Sequence, residues 1–334
     1  MPEIRHNIIT REWVIIATER AKRPEDFAQA NARKKELPAY DAKCPFCPGN
    51  EKLAPPETFR IAKNGSWQVR VVPNKFAALS ATGELTRKAD GLKRIINGVG
   101  IHEVIVECPE HDRTPALLTE AEYEQVIATY HQCYLRVTSD PRVAHLTLFK
   151  NHGERAGSSL EHAHSQLVAT PIIPPQVRDR MENALRFYDE TGACIFCSTL
   201  EEELKDASRI IEKTKHFAAF LPFASLTPFH MWIFPLRHTA CFHDSTEEER
   251  NDLAHLLRRI LRKIYFNLQN ADFNLSVRTP PREASGMKYY HWYVSVIPRV
   301  TRVAGFEIGS GMFINVALPE KSAEFMRNAK LDPA

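Results

Sequence analysis

Apolar positions in this chain fall into short alternating or continuous runs, interrupted by two longer stretches where they recur at helical spacing. The first such stretch, Thr119 to Val137, places Val126, Ile127, Tyr130, Cys133 and Tyr134 on one face and predicts an amphipathic helix. The second, Thr246 to Leu268, opens on Glu247, Glu248 and Glu249, where the helix dipole favours acidic residues. The short runs predict strands at His102–Glu107, His145–Phe149, Met231–Phe234, Phe273–Val277 and His291–Pro298. A further strand is predicted around Glu161–Gln166. There the period of two puts His162, His164 and Gln166 on one face, ahead of the apolar run Leu167–Ala169.

These elements occur in one order, twice. A Cys-x-x-Cys pair (Cys44/Cys47, then Cys194/Cys197) leads to a strand that ends near a histidine (His111, then His238). A helix, a strand and a histidine-bearing strand follow. The pattern predicts an α+β protein made of two duplicated domains, 1–180 and 181–334, each an antiparallel sheet with packed helices. His164 precedes Pro171 by the same seven residues as His291 precedes Pro298. On that alignment Tyr289 stands at the place of His162 and Tyr293 at that of Gln166. The second copy then keeps a single histidine, and catalysis is expected in the first.

The cysteines narrow the chemistry. Pro48, Gly49 and Asn50 follow Cys47, so the first pair sits in a knuckle-like turn and not at the start of a helix, a context that suits zinc better than a redox dithiol. A tetrahedral site needs four thiolate or imidazole ligands. The first half offers Cys44, Cys47 and two of several histidines, with His111 and His162 well placed; the second offers Cys194, Cys197, His238 and His291. Cys108, Cys133 and Cys241 read as small apolar residues. His6, His152, His216, His230 and His243 read as surface or satisfied core residues.

Composition excludes little beyond this. A chain of 334 residues with 43% hydrophobic and 25% charged residues is that of a globular protein. A net charge of +3 is no argument for nucleic acid, though it permits a locally basic phosphate pocket. No signal segment and no membrane-length apolar run is evident, so a cytoplasmic protein is expected, with neither nucleic acid nor membrane as partner.

The segments Arg20–Pro24, Cys44–Cys47, Asn74–Leu79, Asn151–Gly153, Glu161–Gln166 and Gly305–Glu307 together resemble the galactose-1-phosphate uridylyltransferases, a branch of the histidine-triad superfamily. The resemblance implies paired half-barrel-like antiparallel sheets, a homodimer, and two zinc sites. It also implies a two-step exchange of a nucleoside monophosphate between a nucleotide sugar, UDP-glucose, and a hexose 1-phosphate. By the same resemblance His164 is the nucleophile, and His162 is a zinc ligand with Cys44, Cys47 and His111. Gln166 contacts the phosphoryl group, and Arg20, Arg23, Asn74, Asn151, Ser159 and Glu307 bind substrate. Zinc at His162 is expected to fix the strand and so to preorganise His164.

Two departures stand out. Phe313 falls where the family has a glutamine that grips the hexose phosphate, and Lys75 replaces the acidic residue usual after Asn74. Both the Gly-rich run after Gly305 and the Ser159–Gln166 wording are closer to a subgroup that includes plant ADP-glucose phosphorylase, which adenylylates inorganic phosphate. A histidine-triad hydrolase would carry a third histidine where Gln166 stands.

Overall fold

In a computed structural model, residues 1–17, 24, 26–27 and 36–332 are described; Arg20 and Arg23 lie outside them. The first half contributes β1 (Glu3–His6), β2 (Trp13–Ile16), β3 (Phe59–Lys63), β4 (Ser66–Pro73), the hairpin β5 (Arg87–Asp90) and β6 (Lys93–Ile96), and β7 (Ile101–Val106). Helix α1 (Glu120–Thr138), β8 (His145–His152) and β9 (His164–Thr170) complete it. After helices α2 (Pro175–Thr191) and α3 (Ile195–Asp206), the second half runs β10 (Ile210–Lys213), β11 (Phe217–Phe220), β12 (Met231–Pro235), α4 (Glu247–Asn267), β13 (Phe273–Arg278) and β14 (Tyr293–Pro298). The chain closes with α5 (Gly305–Ser310), β15 (Phe313–Asn315) and α6 (Pro319–Asn328).

The duplication is visible in the sheet. Its ten antiparallel strands run β10-β11-β12-β14-β13-β8-β9-β7-β4-β3, the same order of five read outward from the centre in each half. The two half-sheets are joined edge to edge, β13 pairing β8 from Phe273↔His152 to Val277↔Leu148. Each of these strands would otherwise be the open edge of its own half-sheet, with unpaired backbone groups. Their pairing gives one continuous sheet where sequence alone suggested two.

Alternation within the strands then separates two faces. Leu146, Leu148, Leu275 and Val277 meet Val126, Ile127 and Tyr134 of α1 and Leu253, Leu257 and Ile260 of α4 in the main core. Both helices start on the same device: Thr119 caps α1 with Glu122, and Thr246 caps α4 with Glu249, in reciprocal capping boxes. The residues that alternate with the core-facing ones, including His164, Gln166, Asn151, Asn274 and Arg278, belong to the opposite face. Among the described residues no helix is long and apolar enough to cross a membrane.

Candidate functional site

Two Cys/His clusters flank the sheet. In the first half Cys44, Cys47, His111 and His162 are all buried and bring their ligand atoms within 4.8 Å of one another. Cys47 Sγ lies 3.4 Å from His111 Nδ1, and Cys44 and Cys47 Sγ each lie 3.7 Å from His162 Nδ1. His162 Nε2 donates to the Cys108 carbonyl at 2.8 Å, so its Nδ1 lone pair faces the thiols. Burial pushes the His162 pKa down to about 4, which keeps the ring in the neutral, ligating form. Burial likewise raises the Cys44 thiol to about 11, which a bound cation would reverse. Donor types, count, tautomer and spacing therefore fit a tetrahedral zinc ion.

The second cluster joins Cys194, Cys197 and His238. Cys197 Sγ is 3.2 Å from His238 Nδ1 and 3.6 Å from His291 Nδ1. Cys194 occupies the N-cap position of α3 without a side-chain capping bond. Its pKa is lowered to about 5, first by the hydrogen bond from Cys197.

This placement corrects the alignment of the copies. His291 faces the second cysteine pair as His162 faces the first, and each lies two residues before its strand, β9 beginning at His164 and β14 at Tyr293. A second match agrees: His102 Nε2 meets Gln166 Oε1 at 2.9 Å, and His230 Nε2 meets Ser295 Oγ at 3.0 Å. Tyr293, not His291, therefore occupies the place of His164, and Ser295 that of Gln166. The expectation that His162 lines the same strand as His164 is corrected as well. His162 precedes the ladder and turns into the cysteine cluster.

His164 is 5% exposed. Its Nδ1–H donates to the His162 carbonyl at 2.8 Å, which leaves Nε2 with the lone pair. Burial, aided by the Lys150 ammonium, lowers its pKa, while the bond to His162 and the field of Glu107 oppose the shift. Phe46 stands beside the ring at 5.6 Å between centroids.

Behind β9, on the helix side, lies a buried polar group that sequence reasoning missed. Lys150 Nζ donates to Glu107 Oε2 at 2.8 Å and to the His164 carbonyl at 2.9 Å. Glu107 Oε1 accepts from Tyr130 at 2.9 Å and from Ser165. His162 and Lys150 thus hold the His164 ring and backbone at separate points.

Gln166 Oε1 accepts from His102, whose Nδ1 accepts from the Ala78 N–H at 3.2 Å, and lies 3.4 Å from Asn74 Nδ2. With its oxygen so occupied, Gln166 is left with its amide N–H groups to offer a ligand. His102 was also missed, being read only as the start of a strand. Asn151 Oδ1 accepts from Asn274 at 2.8 Å, joining the halves at this site. The turn after β8 needs Gly153: at φ +83° an added Cβ would lie 2.1 Å from an Asp272 carboxylate oxygen. Ser159 is exposed on the loop before β9. Glu307 is not brought to His164; its Oε2 accepts from the Ala304 N–H at 3.0 Å and caps α5. Phe313, in β15, packs against Val14, Ile16 and Ala224.

Comparison with known proteins gives one picture. Residues 1–174 match the family described as "Galactose-1-phosphate uridyl transferase, N-terminal domain", and residues 178–330 match its C-terminal domain. The chain is 34% identical to the ADP-glucose phosphorylase of Arabidopsis thaliana, over 99% of this chain and 93% of that one. It is 25% identical to the galactose-1-phosphate uridylyltransferase of Thermotoga maritima, over 99% and 100%. The crystal structure of an ADP-glucose phosphorylase from Arabidopsis thaliana with bound ADP-glucose superposes with a TM-score of 0.83 at 31% identity, over 99% of this chain and 100% of that one.

Proposed function

The chain belongs to the galactose-1-phosphate uridyl transferase family and is a nucleotidyltransferase; from that premise we propose that it transfers a nucleoside monophosphate from a nucleotide sugar through a covalent intermediate on His164. The observation that carries this reading is the His164 ring itself, held neutral by its surroundings with Nδ1 committed to the His162 carbonyl and Nε2 free. Nε2 attacks the α-phosphorus, the P–O bond to the sugar 1-phosphate breaks, and that phosphate leaves with the electron pair. An acceptor phosphate oxygen then attacks the same phosphorus, breaks the P–N bond and regenerates the neutral imidazole. Dividing the exchange keeps the two phosphate anions from meeting in one transition state.

Gln166 donates to the phosphoryl oxygens that gain charge, and Asn151 and Ser159 bind phosphate beside it. Asn74, Arg20 and Arg23 hold the nucleotide. Zinc at Cys44, Cys47, His111 and His162 would tie the cysteine loop to the start of β9, and a second zinc at Cys194, Cys197, His238 and His291 would do so for β14. A homodimer is part of the same proposal, as is a substrate role for Glu307.

For the donor and acceptor we favour ADP-glucose and inorganic phosphate. Supporting this is the 34% identity to a protein named ADP-glucose phosphorylase, together with Phe313, whose apolar side chain packs away and offers a hexose phosphate no hydrogen bond. UDP-glucose with a hexose 1-phosphate is the second reading, favoured by the family's own description. Turnover of ADP-glucose with phosphate should exceed that of UDP-glucose with galactose 1-phosphate at least tenfold in kcat/KM. The reverse ratio would overturn the preference and leave the His164 chemistry standing.

Because His102 holds Gln166 from behind, His102→Ala should lower kcat roughly tenfold while KM changes little. Steady-state kinetics check this, and an unchanged kcat would show that Gln166 needs no such support.

A further inference from the structure

Each half of the sheet has a front-face position like that of His164, and the second has kept a cavity there. In the β13–β14 ladder Arg278 pairs directly with Tyr293, the residue in the place of His164. In the first half the β8–β9 register pairs Phe149 with Gln166, and its continuation sets Asn151 opposite His164. Arg278 thus stands where the first half has Asn151. The central register carries the match further: Asn274 pairs Asn151, and by the same ladder Thr147 lies opposite Arg278.

Thr147 and Arg278 line a cavity of about 540 Å³, together with His145, Arg180, Thr279 and Tyr290. Its charges are unusual. Arg180 is 8% exposed, and its Nε has no hydrogen-bond partner among the described residues. His145 is 5% exposed with Nδ1 equally unpartnered. Glu12 reaches both arginines, and Asp179 reaches Arg180, only through their fields. No ion pair joins either arginine to a carboxylate among the described residues. Arg278 is held below the ordinary guanidinium range by burial and by the neighbouring Arg180 charge. Desolvation disfavours each cation and a like charge adds to that, while for Arg180 the fields of Tyr293, Tyr290, Glu12 and Asp179 outweigh burial and raise its pKa. A tetrahedral dianion offsets that repulsion, because guanidinium forks match phosphate oxygens in bidentate geometry, and Thr147 and Tyr290 bring hydroxyl groups to the cavity lining.

We propose that this cavity is a second oxyanion site, built for inorganic phosphate or the phosphate of a monoester, which holds its ligand without transferring it because Tyr293 replaces the reactive histidine. Only the comparison with the first half rests on the reading of His164; the arginine pair and the cavity do not.

Crystals of the full chain soaked in tungstate, a heavy phosphate mimic, should show an anomalous peak between Arg180 and Arg278. Calorimetry with inorganic phosphate and with glucose 1-phosphate should show binding that Arg278→Gln weakens at least tenfold and Arg278→Lys weakens less. The tighter of the two ligands identifies the source of the phosphate. Adduct formation at His164, measured on the same samples, should survive Arg278→Lys. Absence of the peak, or phosphate affinity unchanged in folded Arg278→Gln, would overturn the proposal. Should Arg278→Gln not fold, the wild-type peak and Arg278→Lys decide. Loss of the adduct with cavity binding intact would count against His164 alone.

Discussion

His164→Ala should abolish nucleotidyl transfer, by roughly 10⁴-fold or more, and leave a folded protein. No other histidine described at this site combines burial on the front face with a free Nε2: His102 spends its ring on Gln166 and Ala78, and His162 faces the cysteines. The fold should survive because the ring of His164 holds no other element in place. Its one hydrogen bond goes to a carbonyl two residues away, and its loss costs about 1 kcal/mol. Turnover and thermal melting on the same sample test this. Activity within tenfold of wild type would require another nucleophile.

Lys150→Met should have the largest effect on stability, about 3–5 kcal/mol, because it strands the Glu107 carboxylate in the core. Lys150 and Glu107 are each 1% exposed, and Tyr130 and Ser165 donate to the same carboxylate. Urea denaturation measures the loss. Adding Glu107→Gln, which removes the stranded charge, should recover part of it, and a loss under about 1 kcal/mol in the single variant would contradict the assignment. Whatever Lys150→Met enzyme folds should lose kcat more than KM, since Lys150 also fixes the His164 carbonyl.

Periodic segments were legible in advance. The helices predicted from Thr119 and Thr246 begin at Glu120 and Glu247, one residue inside their threonine caps. Cys44 and Cys47 come together with His111 and His162, and Cys197 lies beside His238 and His291, residues that the Cys-x-x-Cys and histidine spacing singles out. The register of the second copy was misread. Pro171 lies outside β9, whereas Pro298 ends β14, so aligning the prolines shifted the copies by two residues. A shift of one would have turned apolar residues to the wrong face, but a shift of two keeps every face and leaves no trace in the hydrophobic pattern.

Other features need the third dimension. Glu107 and Lys150 read as ordinary charges at strand ends until α1 covers them. Arg180 and Arg278 belong to α2 and β13, and nothing local in either segment announces a shared cavity. The joining of the half-sheets through β8 and β13 likewise depends on two edges that look like any other strand.

Intact-mass spectrometry of the wild-type chain mixed with ADP-glucose or UDP-glucose, without acceptor, tests the central claim most directly. One adenylyl or uridylyl group should appear per chain. It should map to His164, disappear on addition of the acceptor phosphate, and be absent in His164→Ala. A folded, zinc-loaded protein that turns over a nucleotide sugar yet never carries the nucleotide, or carries it on another residue, would contradict the account.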